Sequence, residues 1–184
     1  MSKIIRFKKE DTVLVVIDVQ EKLMPAMYNR ETVEAQTVKL CKGMDIFGVP
    51  KIVTTQYCKG LGPTIESVKE ALGEHQEFDK FTFSAYKNEE FKAALEATGR
   101  KKVVIVGVET HVCVEQTALD LIEAGYDVAL AADCVSSRTL DSIQTAFRCL
   151  EAAGVVITAG ESVLFDMLVS AKAPEFKAIS ATVK

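Results

Sequence analysis

The chain has 184 residues, 48% of them hydrophobic and 26% charged, with a formal net charge of −4. That length suits one domain, residues 1–184, with a substantial core, and the composition excludes a disordered chain. The negative balance argues against nucleic-acid binding, and the one tight basic cluster, Arg100-Lys101-Lys102, reads as a solvated helix-to-strand turn.

Short β-branched runs alternate with longer stretches of helical period, the pattern of stacked βαβ units around a parallel sheet. Residues 12–17 (Thr-Val-Leu-Val-Val-Ile) predict the first strand, which ends in Asp18-Val19-Gln20. A helix follows over 30–48, then a second strand over 51–55 running into Gln56-Tyr57-Cys58, then a helix over 63–72. The strand at 77–80 has thin apolar content. It leads into Phe81-Thr82-Phe83-Ser84-Ala85-Tyr86, an aromatic segment in a chain with only 7% aromatic residues. Asn88 is a good N-cap for a helix over 88–98, Glu89 and Glu90 suit its positive end, and Gly99 can close it. A strand over 103–106 then meets Gly107 and a helix over 112–124. Strands at 127–131 and 155–158 and helices at 138–153 and 160–169 complete the alternation.

In such a sheet, ligands bind beyond the carboxyl ends of the strands, where strand order reverses. Cys113 follows the 103–106 strand at the start of a helix, where unpaired N–H groups and partial positive charge favour a thiolate. A buried, inert core cysteine is the competing reading. Asp18 emerges directly from a buried strand, a position that calls for a partner or a chemical role. Lys80 lies at the third strand end and is the candidate cation, with a surface lysine as its alternative. Only His75 and His111 exist, and His111 lies two residues from Cys113, off the same helix face. The base beside Cys113 is therefore expected to be a carboxylate.

Several chemistries lose support. The first strand is followed by neither G-x-G-x-x-G nor a D-x-D pair, and no G-x-x-x-x-G-K-[ST] occurs. The five cysteines (41, 58, 113, 134 and 149) are odd in number and lack C-x-x-C, so a disulfide framework or zinc knuckle is not suggested. A redox protein using Cys113 with Cys134 or Cys149 stays open. No secretory pattern is present and no window of about 18 uncharged apolar residues occurs, so a cytoplasmic protein without a membrane partner is expected.

Four segments, Val-Val-Ile-Asp-Val-Gln (15–20), Asp-Lys-Phe-Thr-Phe-Ser-Ala-Tyr (79–86), Gly-Val-Glu-Thr-His-Val-Cys-Val (107–114) and Asp-Cys-Val-Ser-Ser-Arg (133–138), each fall at a strand end. Together they resemble the isochorismatase-like cysteine hydrolase family over nearly the whole chain. The resemblance implies a single-domain α/β three-layer sandwich: a six-stranded, mostly parallel sheet of order 3-2-1-4-5-6, with helices on both faces. It also implies a catalytic triad of Asp18, Lys80 and Cys113 and a cis peptide between Val108 and Glu109. An oxyanion hole from the N–H groups of Glu109 and Cys113 follows from it, as do substrate contacts from Gln20, Gln56 and Tyr57. The implied reaction is cleavage of a C–N bond in a small amide or carbamoyl substrate, with no cofactor and with assembly into a homo-oligomer. Gln56-Tyr57-Cys58-Lys59 stands where metal-dependent nicotinamidases carry Asp and His ligands, so no metal is expected. A vinyl ether hydrolase and a non-catalytic, partner-binding member are the alternatives.

Overall fold

The side-chain alternation within the first strand, β1 (Thr12–Ile17), sets the layering. Val13, Val15 and Ile17 join one buried cluster, while Leu14 and Val16 join another, so both faces of the strand are covered. The computed structural model describes residues 5–184. It places β1 at the centre of a six-stranded sheet ordered β3-β2-β1-β4-β5-β6, with β2 (Lys51–Gln56), β3 (Gln76–Lys80), β4 (Lys102–Val108), β5 (Asp127–Ser136) and β6 (Val156–Thr158). Every pair of neighbouring strands is parallel.

On one face lie α1 (Arg30–Ile46), α3 (Glu66–Leu72), α7 (Gly160–Leu168) and α8 (Phe176–Val183), which contribute Leu40, Met44, Val68, Leu72, Leu164 and Ile179. On the other lie α4 (Glu89–Ala97), α5 (Glu115–Glu123) and α6 (Leu140–Ala152), which contribute Phe91, Leu95, Ala118, Leu121 and Leu150. Each such fully buried Leu or Phe contributes about 1.5–3 kcal/mol relative to exposure. Asn88 caps α4 by accepting a 2.9 Å hydrogen bond from the Phe91 N–H. A four-residue helix, α2 (Cys58–Leu61), fills the exit of β2.

The differences from the sequence expectations have physical causes. β5 continues to Ser136 rather than stopping near residue 131, because its second half, Ala132-Asp133-Cys134-Val135-Ser136, has low intrinsic strand preference and is held by the neighbouring β4. The helix expected over 63–72 begins only at Glu66, and α2 precedes it. The terminal α8 carries no strong local signal. Ile179 docks into the core and Lys39 Nζ donates to the Val183 carbonyl at 2.9 Å.

The chain runs outward from β1 through β2 to β3, then crosses back so that β4 pairs with the other side of β1. The carboxyl ends of β1 and β4 therefore form the reversal point. Gly107 makes their approach possible. It sits opposite Ile17 at a φ of 116°, and a Cβ there would lie 2.0 Å from the Ile17 carbonyl oxygen.

Candidate active site

Asp18 leaves β1 at a φ of 51°, a left-handed turn that Asp tolerates better than most residues. That turn keeps the carboxylate inside the sheet end. Its Oδ1 accepts from Thr54 Oγ1 at 2.8 Å and its Oδ2 accepts from Lys80 Nζ at 2.7 Å, with both members of the ion pair fully buried. Lys80, the last residue of β3, also donates to Gln56 Oε1 at 2.7 Å and to the Thr82 carbonyl at 3.2 Å. All three protons of the ammonium thus have acceptors, which is what a buried cation requires. β1, β2 and β3 each supply part of this cluster from their carboxyl ends.

Cys113 comes from the other side of the reversal point. Residues Thr110–Val114 form one wide turn before α5. The Glu109 carbonyl accepts from both Val112 N–H at 3.1 Å and Val114 N–H at 3.2 Å, the second being the five-residue spacing of a π-turn. The peptide bond between Val108 and Glu109 is cis. The Cys113 thiol lies close enough to Asp18 and Lys80 for both to act on it electrostatically. Asp18, Lys80 and Cys113, 95 residues apart at the extremes, meet at one point.

The electrostatics differ from the expectation of a depressed thiol pKa. Burial, followed by the Asp18 charge, pushes the Cys113 thiol up to about 12, against the pull of Lys80. Cys113 also lies inside the wide turn rather than at the start of α5, which begins at Glu115, and two amides of that turn donate to the Glu109 carbonyl. Burial also raises the Asp18 carboxyl, opposed by Lys80 and Thr54. Burial and the Asp18 charge thus oppose ionisation of the thiol beside the Asp18–Lys80 pair.

Gln20, Gln56 and Tyr57 fall in different places. Gln20 is fully buried; its Nε2 donates to the Gln56 and Gly62 carbonyls at 3.1 and 2.6 Å, and its Oε1 accepts from Gln56 N–H at 2.7 Å. Its amide fixes the β2 exit, with both Nε2 protons committed to backbone carbonyls. Gln56 joins the Lys80 cluster and donates from Nε2 to the Phe81 carbonyl at 3.0 Å. Tyr57 is 44% exposed, and its ring centroid lies 5.6 Å from that of Phe81, itself 74% exposed. Phe83, two residues on, is also exposed. The Glu109 side chain accepts from Arg138 Nε at 3.0 Å.

Thr54 escaped the sequence reading. A threonine inside a β-branched strand looks like any other strand residue, and only the register of β1 against β2 brings its hydroxyl to Asp18. Among the described residues, no group of three or more His, Cys, Asp or Glu side chains could hold a metal ion. All five cysteines are free.

The isochorismatase domain profile matches residues 12–162. Isochorismatase domain-containing protein 1 of Danio rerio is 38% identical over 173 residues, which is 94% of this chain but 61% of that protein. This chain therefore spans less than two thirds of that relative's length. Among solved structures, the MAR1 ribonuclease of Caenorhabditis elegans superposes with a TM-score of 0.93 at 33% identity, covering 97% of this chain and 92% of the other. The YcaC gene product of Escherichia coli, described as an octameric hydrolase of unknown specificity, gives a TM-score of 0.93 at 25% identity, covering 100% and 91%. With a domain match over most of its length and a sheet order shared with the expected fold, the chain belongs to the isochorismatase family.

Proposed function

We propose that this chain is a cysteine-dependent hydrolase that cleaves a C–N bond in a small amide or carbamoyl substrate. The observation that carries this reading is the convergence of one thiol on a buried, hydrogen-bonded carboxylate–ammonium pair.

The chemistry follows from the charge balance. Asp18 removes the Cys113 proton as Sγ attacks the carbonyl carbon, so the buried pair changes from Asp18 with Lys80 to thiolate with Lys80. The net charge of the site is unchanged by the transfer, and no new ion has to be buried. A raised Asp18 pKa makes that carboxylate a stronger base. The thiolate is not stored in the resting enzyme; it forms as the substrate arrives. The N–H groups of Glu109 and Cys113 take the oxyanion, Asp18 returns its proton to the leaving amine, and a water activated by Asp18 then releases the acid from the thioester. Tyr57, Phe81 and Phe83 fit the apolar part of a small substrate, and Gln56 orients Lys80.

Hydrolysis within the family supports the reaction class, and the E. coli relative supports the further proposal that copies of this chain assemble. The C. elegans relative is called a ribonuclease. A net charge of −4 and a Lys80 already satisfied by three acceptors weigh against a polyanion here. The five free thiols fit a reducing, cytoplasmic setting. Among the described residues, no helix is long and apolar enough to cross a membrane.

An ammonia-release screen over small amides and carbamoyl compounds, run on the wild type and on Cys113→Ala, tests the reading. Turnover that vanishes in the variant is expected. Ammonia release that survives in the variant would sink the thiol mechanism.

A further inference from the structure

Thr117 lies on the first turn of α5, fully buried, four residues after the nucleophile candidate. Its Oγ1 is 2.6 Å from the Cys113 carbonyl oxygen and 2.8 Å from the Ala85 backbone nitrogen. The direction of both bonds is fixed. Ala85 is fully buried and its N–H can only donate, so Thr117 must accept from it. The single hydroxyl proton is then committed to the Cys113 carbonyl.

The Ala85 N–H belongs to the same peptide group as the Ser84 carbonyl, and that carbonyl accepts from Thr82 Oγ1 at 2.8 Å. The Thr82 carbonyl in turn accepts from Lys80 Nζ at 3.2 Å. A chain of hydrogen bonds therefore runs from the Thr82 hydroxyl through the 84–85 peptide and the Thr117 hydroxyl to the backbone of Cys113, and Lys80 holds the same loop by its separate bond to the Thr82 carbonyl. Within that chain the 84–85 peptide and the Thr117 hydroxyl each both accept and donate, the arrangement in which hydrogen bonds reinforce one another. It also crosses the reversal point of the sheet, tying the loop after β3 to the turn after β4.

We infer that Thr117 is a positioning residue: its hydroxyl locks the Cys113 turn to the Lys80 loop and so holds the thiol in register with Asp18 and Lys80. The inference rests on the hydrolase reading for its catalytic meaning, whereas the lock itself is a matter of hydrogen bonding. A side-chain bond back to the fourth preceding carbonyl slightly weakens a helix. Here it joins two loops instead.

Thr117→Val keeps the volume and removes the hydroxyl; Thr117→Ser keeps the hydroxyl and removes the methyl group. With an amide found in the ammonia-release screen, Thr117→Val is expected to lower kcat by about 10²-fold, the scale of a small misplacement of reacting groups, with KM little changed. Thr117→Ser is expected to restore kcat. Iodoacetamide labelling, resolved cysteine by cysteine by peptide mass spectrometry, supplies a readout that needs no substrate. In Thr117→Val, Cys113 is expected to label on the order of tenfold faster as its turn loosens and exposes a thiol that burial had protected. Cys41 and Cys134 are expected to keep their rates, which a general loosening of the fold would raise too. Unchanged Cys113 labelling in Thr117→Val, or a Thr117→Ser chain that labels as fast as Thr117→Val, overturns the inference. Turnover retained in Cys113→Ala overturns the hydrolase reading instead. Should Thr117→Val fail to fold, Thr117→Ser decides alone: wild-type kcat and labelling support the lock, and a loss in either contradicts it.

Discussion

Strand β2 carries a buried lysine environment at each end, and the two ends contain the same three residue types. At its start, Lys51 is buried, donates to Asp45 at 2.6 Å, and acts electrostatically on Cys41. Near its other end, Thr54 and Gln56 hold the Asp18–Lys80 pair against Cys113. Burial pushes both thiols up to about 12. What separates the two regions is the carboxylate. Asp45 is 51% exposed and no influence of it on Cys41 is found, whereas Asp18 is sealed from solvent and acts on the Cys113 thiol. A raised thiol pKa therefore marks burial, and a buried base in contact marks chemistry.

The largest contrast is expected in turnover. Cys113→Ala should abolish amide hydrolysis, a loss of about 10³-fold or more, whereas Cys41→Ala should leave kcat within about twofold of wild type. Ammonia release by purified variants reads both, and a Cys41→Ala chain as inactive as Cys113→Ala would erase the distinction. Asp18→Asn removes the base while keeping its shape, and should lower kcat by about 10²–10⁴-fold. It should also make Cys113 label faster with iodoacetamide at neutral pH, because the Asp18 charge that raises the thiol is gone while Lys80 remains. Asp45→Asn should change neither turnover nor labelling of Cys41. An Asp18→Asn chain that labels more slowly at Cys113 would contradict the assigned electrostatics.

Stability separates the two lysines. Lys80→Met strands the Asp18 charge in the interior and should cost about 3–5 kcal/mol by guanidinium unfolding. Lys51→Met leaves a carboxylate that water already solvates, and should cost about 1 kcal/mol or less. Equal losses would show that solvent access at Asp45 does not matter. The smallest effect is one the two regions should share. A thiol whose folded pKa is raised stabilises the fold fully below the ordinary thiol value of 9.0 and loses that contribution as the pH climbs toward about 12. Urea midpoints should fall across that alkaline window, and Cys41→Ala and Cys113→Ala should each flatten the decline. A variant with an unchanged alkaline slope would place its thiol at an ordinary pKa.

Much of the scaffold was legible because hydrophobic periodicity is a local property. The β-branched runs of β1 and β4, the Asn88 cap and the Gly107 turn all announce themselves within a few residues. Asp18 was legible because a charge at the end of a buried strand contradicts its surroundings, and Lys80 because it stands at a strand end beside an aromatic segment. What the sequence concealed depends on register and packing. The Thr54 and Thr117 hydroxyls gain meaning only when β1 lies beside β2 and α5 packs against the Ala85 loop. Gln20, which reads as a polar group in the cleft, is consumed by the Gly62 and Gln56 backbones. The wide turn at Thr110–Val114 was hidden as well, because nothing in Thr-His-Val-Cys-Val distinguishes it from the opening of an ordinary helix.

The central claim is that turnover passes through a thioester on Cys113. Hydroxylamine intercepts such an intermediate, so the most direct measurement is product analysis of amide turnover at increasing hydroxylamine concentration, in the wild type and in Cys113→Ala. The expected result is a hydroxamate that grows at the expense of the acid in the wild type and is absent from the variant. Acid as the sole product at every hydroxylamine concentration, with turnover persisting in Cys113→Ala, would contradict the account.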